Sequence, residues 1–203
     1  MKVVASFGDT VLYKSDLLTL TNPEYITDNI ISLFLEMLNE ECSSVYSISP
    51  SVVQLMKLTE PSYLIEMFAG LELNKYEIVL CPVNDSRSST SQLSGQHWSL
   101  LCYIRDQSTV FHIDSLNSFN AAETKLMTSK LSALVGKPLA CKNLCCAQQN
   151  NGYDCGIYVI YFAREIVDSF KLCKCFNAKC VQKPLPGSYR NRLISDIEKL
   201  PSK

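Results

Sequence analysis

Histidine is scarce in this 203-residue sequence, which contains two, and tryptophan occurs once. A general base working near neutral pH is most often a histidine, so an acid–base site here has only His97 and His112 to draw on. An excess of one charge is also missing. The formal net charge is −1, which gives no field to recruit nucleic acid or an anionic membrane surface. No apolar run approaches the roughly 18 residues of a membrane span. The opening Met1-Lys2-Val3-Val4-Ala5-Ser6-Phe7-Gly8-Asp9 breaks its apolar run too early for a secretory h-region. The expectation is a soluble monomer of a reducing compartment, cytoplasmic and/or nuclear, with no nucleic-acid or membrane partner.

Against these absences stand ten cysteines. In a reducing compartment they remain free thiols. Most then behave as small buried hydrophobes, and the question is which one is reactive. Cys173-x-Cys175-x4-Cys180 departs from the paired C-x2–4-C spacing of zinc ligands. Cys145-Cys146, next to Leu144, reads as core. No metal and no cofactor is expected, and Lys171, Lys174 and Lys179 read as a solvated face.

The elements follow from periodicity and punctuation. Val11-Leu12-Tyr13 suggests a short strand, with a link to Pro23. Ile26, Ile30, Phe34, Met37 and Leu38 recur at helical spacing from Glu24 to about Asn39. Ser49-Pro50 opens a second helix through about Leu58, and Ser62 to about Ala69 is a third. Tyr76 to Val83 is a buried-strand run. The serine-rich stretch from Asp85 to Gln96 is a loop leading into His97. Strands are expected over Trp98 to Ile104, Thr109 to Asp114 and Leu139 to Leu144. Asn120-Ala121-Ala122-Glu123 has capping-box form and predicts a helix to Gly136. A helix from Asp154 carries the apolar stripe Val159, Phe162, Ala163, Ile166, Val167 and Phe170. A last one runs from about Tyr189 to Leu200. Helices, a strand-rich middle and helices again imply α+β, with residues 1–203 as one domain.

His97 precedes a strand whose hairpin partner ends at Asp114. Paired residues in an antiparallel hairpin share a face, and their numbers sum to a constant. A turn at Arg105-Asp106 places His97 directly opposite Asp114, and a turn at Asp106-Gln107 makes them diagonal neighbours on one face. A three-residue loop would separate them. A carboxylate against imidazole fixes the tautomer and steadies the charged ring. His112, inside an apolar run, reads as a structural histidine. Cys155 falls in the first turn of a helix, where backbone N–H groups and the dipole favour a thiolate. Gly156 leaves room for a substrate carbonyl. Gln148-Gln149-Asn150-Asn151-Gly152 supplies amide donors upstream, one of which, with the Cys155 N–H, suits an oxyanion.

Gly95-Gln96-His97-Trp98-Ser99-Leu100-Leu101, Phe111-His112-Ile113-Asp114-Ser115 and Gln148-Gln149-Asn150-Asn151-Gly152-Tyr153-Asp154-Cys155-Gly156 resemble the ubiquitin-like-protein-specific (sentrin-specific) cysteine proteases. The resemblance spans nearly the whole sequence, in the order His, Asp, Gln, Cys. It implies a single-domain, papain-like α+β cysteine protease with a central mixed sheet flanked by helices. It also implies Cys155 as nucleophile, His97 as general base, Asp114 as its orienter and Gln149 as oxyanion donor, with Gln148 the alternative. The family's Trp-Leu-Asn-Asp segment is here Tyr25-Ile26-Thr27-Asp28. Aromatics there and after the histidine close a channel over a Gly-Gly tail in the family, so Tyr25 and Trp98 are the implied lid, and Asp28 is kept. Compact length, Tyr46 to Gln54 and Val83-Asn84-Asp85 are similar to the branch that cleaves the neddylation modifier, ahead of the SUMO branch. The resemblance thus implies an isopeptidase whose partners are a ubiquitin-like modifier and its conjugates. A modifier-binding module that does not cleave, and a thiol acyltransferase on a similar fold, are the competing classes.

Overall fold

In the computed structural model, residues 2–87 and 95–201 are described. Of the serine-rich loop expected over 85–96, residues 88–94 therefore lie outside the described residues. Val3–Phe7 (β1) and Thr10–Tyr13 (β2) pair antiparallel as a separate two-stranded sheet, around Gly8 at φ +53°. The second strand is the one expected; the first is hidden in a run too short and mixed to read.

A helix, Lys14–Thr21 (α1), occupies what the sequence presents as a link. One carboxylate accounts for it. Buried Asp16 accepts the Tyr13 N–H at 2.8 Å, and its other oxygen accepts the Thr27 hydroxyl at 2.8 Å. The first bond satisfies a donor at the start of α1. The second ties α1 to the entry of Asp28–Glu41 (α2). That helix starts later than the expected Glu24, so Tyr25 lies on a loop rather than in a helix. Ile30, Phe34 and Leu38 of α2 are buried, as their spacing implies.

Val45–Ser47 (β3) is a three-residue strand with no sequence signature. Pro50–Leu58 (α3) follows, with the Ser49 hydroxyl accepting the Val52 N–H, and then Pro61–Phe68 (α4). Ile78–Asn84 (β4), Trp98–Ile104 (β5), Thr109–Ile113 (β6), Ala121–Val135 (α5), Ala140–Asn143 (β7), Cys155–Cys173 (α6) and Tyr189–Glu198 (α7) complete the chain. The main sheet has the order β3-β4-β5-β6-β7. Its outer pairs are parallel and its two inner pairs antiparallel.

Each face of this sheet has its own core. On one, Leu80, Leu100, Cys102 and Ile113 meet Ile31, Phe34, Ile157 and Ile160 of α2 and α6. On the other, Val79, Cys81, Leu101 and Tyr103 meet Val53, Met56, Met127 and Leu131 of α3 and α5. A strand covered on both sides has no polar face to alternate with, which is why β4 reads as a continuous apolar run. Full burial of each large side chain contributes about 1.5–3 kcal/mol, and α6 alone buries Ile157, Val159, Ile160, Phe162, Ile166, Val167 and Phe170. That helix is thereby fixed rigidly, and its first residue is Cys155. Among the described residues no helix is long and apolar enough to cross a membrane.

Candidate active site

The β5–β6 hairpin sets the first two site residues. Ile104 pairs with Thr109 across a four-residue connection centred on Asp106-Gln107, with Ser108 at φ +46°. Leu100 then faces Ile113 and Leu101 faces His112. This is the diagonal register, the second of the two expected. It brings His97 Nε2 to 2.6 Å from Asp114 Oδ1, both residues being buried. His97 is also held by its backbone: Asp85 Oδ1 accepts the N–H groups of Gln96 at 2.7 Å and His97 at 3.0 Å.

Asp114 has more partners than the histidine. It accepts the Leu116 N–H at 2.8 Å and the Asn120 N–H at 3.1 Å. Burial raises the pKa of a carboxyl, but the His97 bond and these two amides outweigh it, so Asp114 lies below its ordinary value. At His97 burial disfavours the charged ring. The Asp114 bond, the Cys155 sulfur and their charges overcome that, and its pKa rises to about 9. Asp114 occupies Nε2, which leaves Nδ1 as the ring nitrogen able to serve a thiol, the reverse of the arrangement in the serine-protease triad.

His112 is structural, as expected. Its Nε2 and the Ser99 hydroxyl are 3.1 Å apart, its Nδ1 lies 3.2 Å from Asn143 Oδ1, and burial lowers its pKa.

Cys155 begins α6 and is 1% exposed. Asp154 precedes it as the N-cap residue, yet no side chain caps this helix. The Asp154 carboxylate turns instead to Arg190 and to the Asn151 amide. The positive end of the helix dipole is left at the sulfur, where it favours negative charge. Burial pushes Cys81 up to about 12, and Cys146 and Cys180 up to about 11. Cys145 is exposed, contrary to the core position expected for the pair, because only Cys146 turns inward, toward the Asp114 carbonyl at 3.2 Å. Cys173 and Cys175 are exposed while Cys180 is buried, and among the described residues no metal-ligating group forms.

Gly156 has a different reason from the one expected. A Cβ there would meet Ile26 Cγ1 at 2.7 Å and Cδ1 at 3.0 Å. Close packing of α6 on the Tyr25-Ile26 segment excludes a side chain, rather than the approach of a substrate.

Gln149 and Gln148 are both engaged. Gln149 Oε1 accepts from the Ser115 hydroxyl and its Nε2 donates to the Asn151 carbonyl, each at 2.7 Å. Gln148 Oε1 accepts the Asn117 N–H at 2.9 Å and its Nε2 donates to the Asp114 carbonyl at 3.0 Å. Gln148 therefore braces the loop after Asp114, and Gln149 lies on the side leading to Cys155. Trp98 is half-buried at the start of β5, and Asp28 is exposed in the first turn of α2. Tyr25 is 51% exposed. With Pro23, Glu24, Gly152 and Tyr153 it lines a shallow open depression.

Two residues escape sequence reasoning. Asn120 has the form of a capping box with Glu123, but its amide donates to the carbonyls of Val83 and His97 and to the Ser99 hydroxyl. Glu123 pairs instead with Lys57 at 3.6 Å and Arg87 at 2.8 Å. Phe119, 56% exposed, sets its ring edge-on to His97 with centroids 5.3 Å apart. A phenylalanine in a polar loop is the one signal that marks it.

A thiol at a helix start, with an imidazole and a buried carboxylate on a neighbouring hairpin, defines a cysteine protease. Residues 24–173 match the Ulp1 protease family, C-terminal catalytic domain, and the chain belongs to that family. It is similar to the probable sentrin-specific protease 8 of Dictyostelium discoideum, 31% identical over 96% of this chain and 86% of the relative. Sentrin-specific protease 8 of Homo sapiens is 35% identical, covering 83% of this chain and 82% of its own length. NEDD8-specific protease 1 of Arabidopsis thaliana is 32% identical, over 82% and 76%. The fold is that of the C-terminal Ulp1 protease domain solved in complex with SMT3, the yeast ortholog of SUMO. The TM-score is 0.73 at 20% identity, over 97% of this chain and 87% of that one.

Proposed function

We propose that this chain is a thiol isopeptidase that cleaves after the C-terminal Gly-Gly of the neddylation modifier, in precursor processing, deconjugation or both. The observation that carries the reading is the 2.6 Å His97–Asp114 bond, with the Cys155 thiol opening α6 and its sulfur helping to raise the His97 pKa. Relatives named as NEDD8-specific and sentrin-specific proteases support the choice of modifier.

Cys155 gives its thiol proton to His97, and the thiolate Sγ attacks the terminal glycine carbonyl, forming a C–S bond as the carbonyl π pair moves to oxygen. The oxyanion is taken by the Cys155 N–H and by Gln149 Nε2, which exchanges its present acceptor on Asn151 for it. His97 passes its proton to the leaving amine as the C–N bond breaks. His97 then takes a proton from water, whose oxygen displaces the sulfur from the thioester, and the free carboxylate leaves. Asp114 holds the ring and stabilises its charge. Tyr25 and Trp98 flank the glycine tail, and Asp28 is part of the same binding segment.

The test uses ubiquitin-like proteins bearing an electrophile in place of the last carbonyl. The NEDD8 probe is expected to form an adduct on Cys155 fastest, with none on Cys155→Ala. Binding without adduct would leave a non-cleaving module as the reading. A faster SUMO probe would keep the protease and move its preferred modifier.

A further inference from the structure

Arg190, near the start of α7, lies outside the catalytic set and makes an unusual group of bonds. Its Nε and Nη2 donate to Asp154 Oδ1 at 2.9 and 2.7 Å. Its Nη1 donates to the carbonyls of Thr19, Leu20 and Asn22 at 2.8, 3.3 and 3.0 Å, and its Nη2 to that of Glu24 at 2.8 Å. The guanidinium also lies 5.5 Å from the Tyr153 ring centroid. A helix end leaves carbonyls unsatisfied. The last turn of α1 contains no basic residue of its own, and Arg190 supplies the missing donors from the far end of the chain.

The positions it grips matter more than their number. Asp154 immediately precedes Cys155, and Glu24 immediately precedes Tyr25. The depression lined by Pro23, Glu24, Tyr25, Gly152 and Tyr153 has one wall on each of these two segments. One residue further along each segment, Gly156 packs on Ile26. Arg190 itself is seated by buried Tyr189 and Leu193 on either side. A planar fork with donors on three nitrogens can span a carboxylate and four carbonyls at once, which a single ammonium cannot.

We infer that Arg190 is a positioning residue, clamping the Tyr25 segment to the loop before Cys155 so that the groove receiving the modifier's tail is formed before substrate arrives. The inference rests on the proposed reading of Tyr25 as a wall of that groove. A groove that must be assembled on binding loses affinity, because ordering then opposes association. The effect belongs chiefly to KM, since His97, Asp114 and Cys155 are held by β5, β6 and α6.

The experiment compares Arg190→Gln and Arg190→Lys with wild type, using a modifier fused through Gly-Gly to a reporter, with active sites counted by titration. Arg190→Gln is expected to raise KM about tenfold while kcat stays within roughly threefold, and Arg190→Lys to fall between. Hydrogen exchange on the free proteins should speed up in residues 19–25 and 151–154 together. A KM that does not move overturns the inference, whatever happens to the melting temperature. So does faster exchange confined to α7 or to one of the two segments. Should wild type cleave no Gly-Gly-tailed modifier, the proposed function falls, and the exchange measurement still decides the role of Arg190.

Discussion

Asp114 Oδ1 accepts the Leu116 N–H at 2.8 Å while lying 2.6 Å from His97 Nε2, so one oxygen orients the imidazole and shapes the loop beyond it. That loop returns Phe119 to the His97 ring. Asp114→Asn keeps the shape of the side chain and removes its charge. Turnover is expected to fall by about two to four orders of magnitude, with modifier affinity, measured by calorimetry, within a few-fold of wild type. Unchanged turnover would take Asp114 out of the mechanism. Affinity lost in step with rate would mean that its service to the loop dominates.

The pH dependence follows from His97. Its pKa is raised from 6.5 to about 9 against the opposing effect of burial, by Asp114 and the Cys155 sulfur. A group raised on folding stabilises the fold fully below its unfolded value, and that contribution is lost as pH rises through the folded value. The window is therefore pH 6.5 to 9, on the alkaline side. In the proposed mechanism the charged imidazole that protonates the leaving amine is lost over the same upper range. The alkaline limb of kcat/KM is expected near pH 9, and at lower pH in Asp114→Asn. A wild-type limb near pH 7 would contradict the arrangement.

Local sequence carried much of this. Ser49-Pro50 marks the start of α3, and Gly136, at φ +71°, ends α5 where expected. The His97–Asp114 contact was legible because strand pairing is arithmetic once the turn is placed. What stayed hidden depends on distant partners. α1 is tied to the start of α2 by Asp16 reaching Thr27, and Asp154 abandons its cap for Arg190, 36 positions away. Asn120 and Glu123 have the spacing of a capping box, but a buried cluster of carbonyls claims the first and Lys57 with Arg87 the second. Propensity yields wherever a buried group needs a partner more strongly.

Gln149 is poised between the loop after Asp114 and the turn before Cys155, its two amide atoms each held at 2.7 Å. If its Nε2 meets the developing oxyanion, the contact strengthens only in the transition state. Gln149→Ala is then expected to lower kcat by about a hundredfold or more, leaving KM nearly unchanged. Gln148→Ala should act differently, loosening the loop that holds Asp114 through the 3.0 Å bond to its carbonyl, and should show as a lower melting temperature. Steady-state kinetics of both variants, with thermal melts, separate the two. The reverse pattern would exchange their roles.

Gly156 offers the sharpest contrast between two explanations of one residue. Next to the proposed nucleophile, a glycine invites the view that substrate needs the space. The space is already taken, since a Cβ would lie 2.7 Å from Ile26 Cγ1, inside contact distance. Gly156→Ala must displace the Ile26 side chain or part α6 from the Tyr25-Ile26 segment, and overpacking of this kind costs about 1–3 kcal/mol. For a chain of this size that corresponds to a fall in melting temperature of roughly 2–12 °C. Ile26→Ala removes the atoms in the way, at the cost of a cavity. The two substitutions should therefore couple, Gly156→Ala being milder in the Ile26→Ala background than alone. A double-mutant cycle on melting free energy measures this. Additive costs, with kcat lost and the melting temperature of Gly156→Ala unchanged, would return the glycine to the substrate.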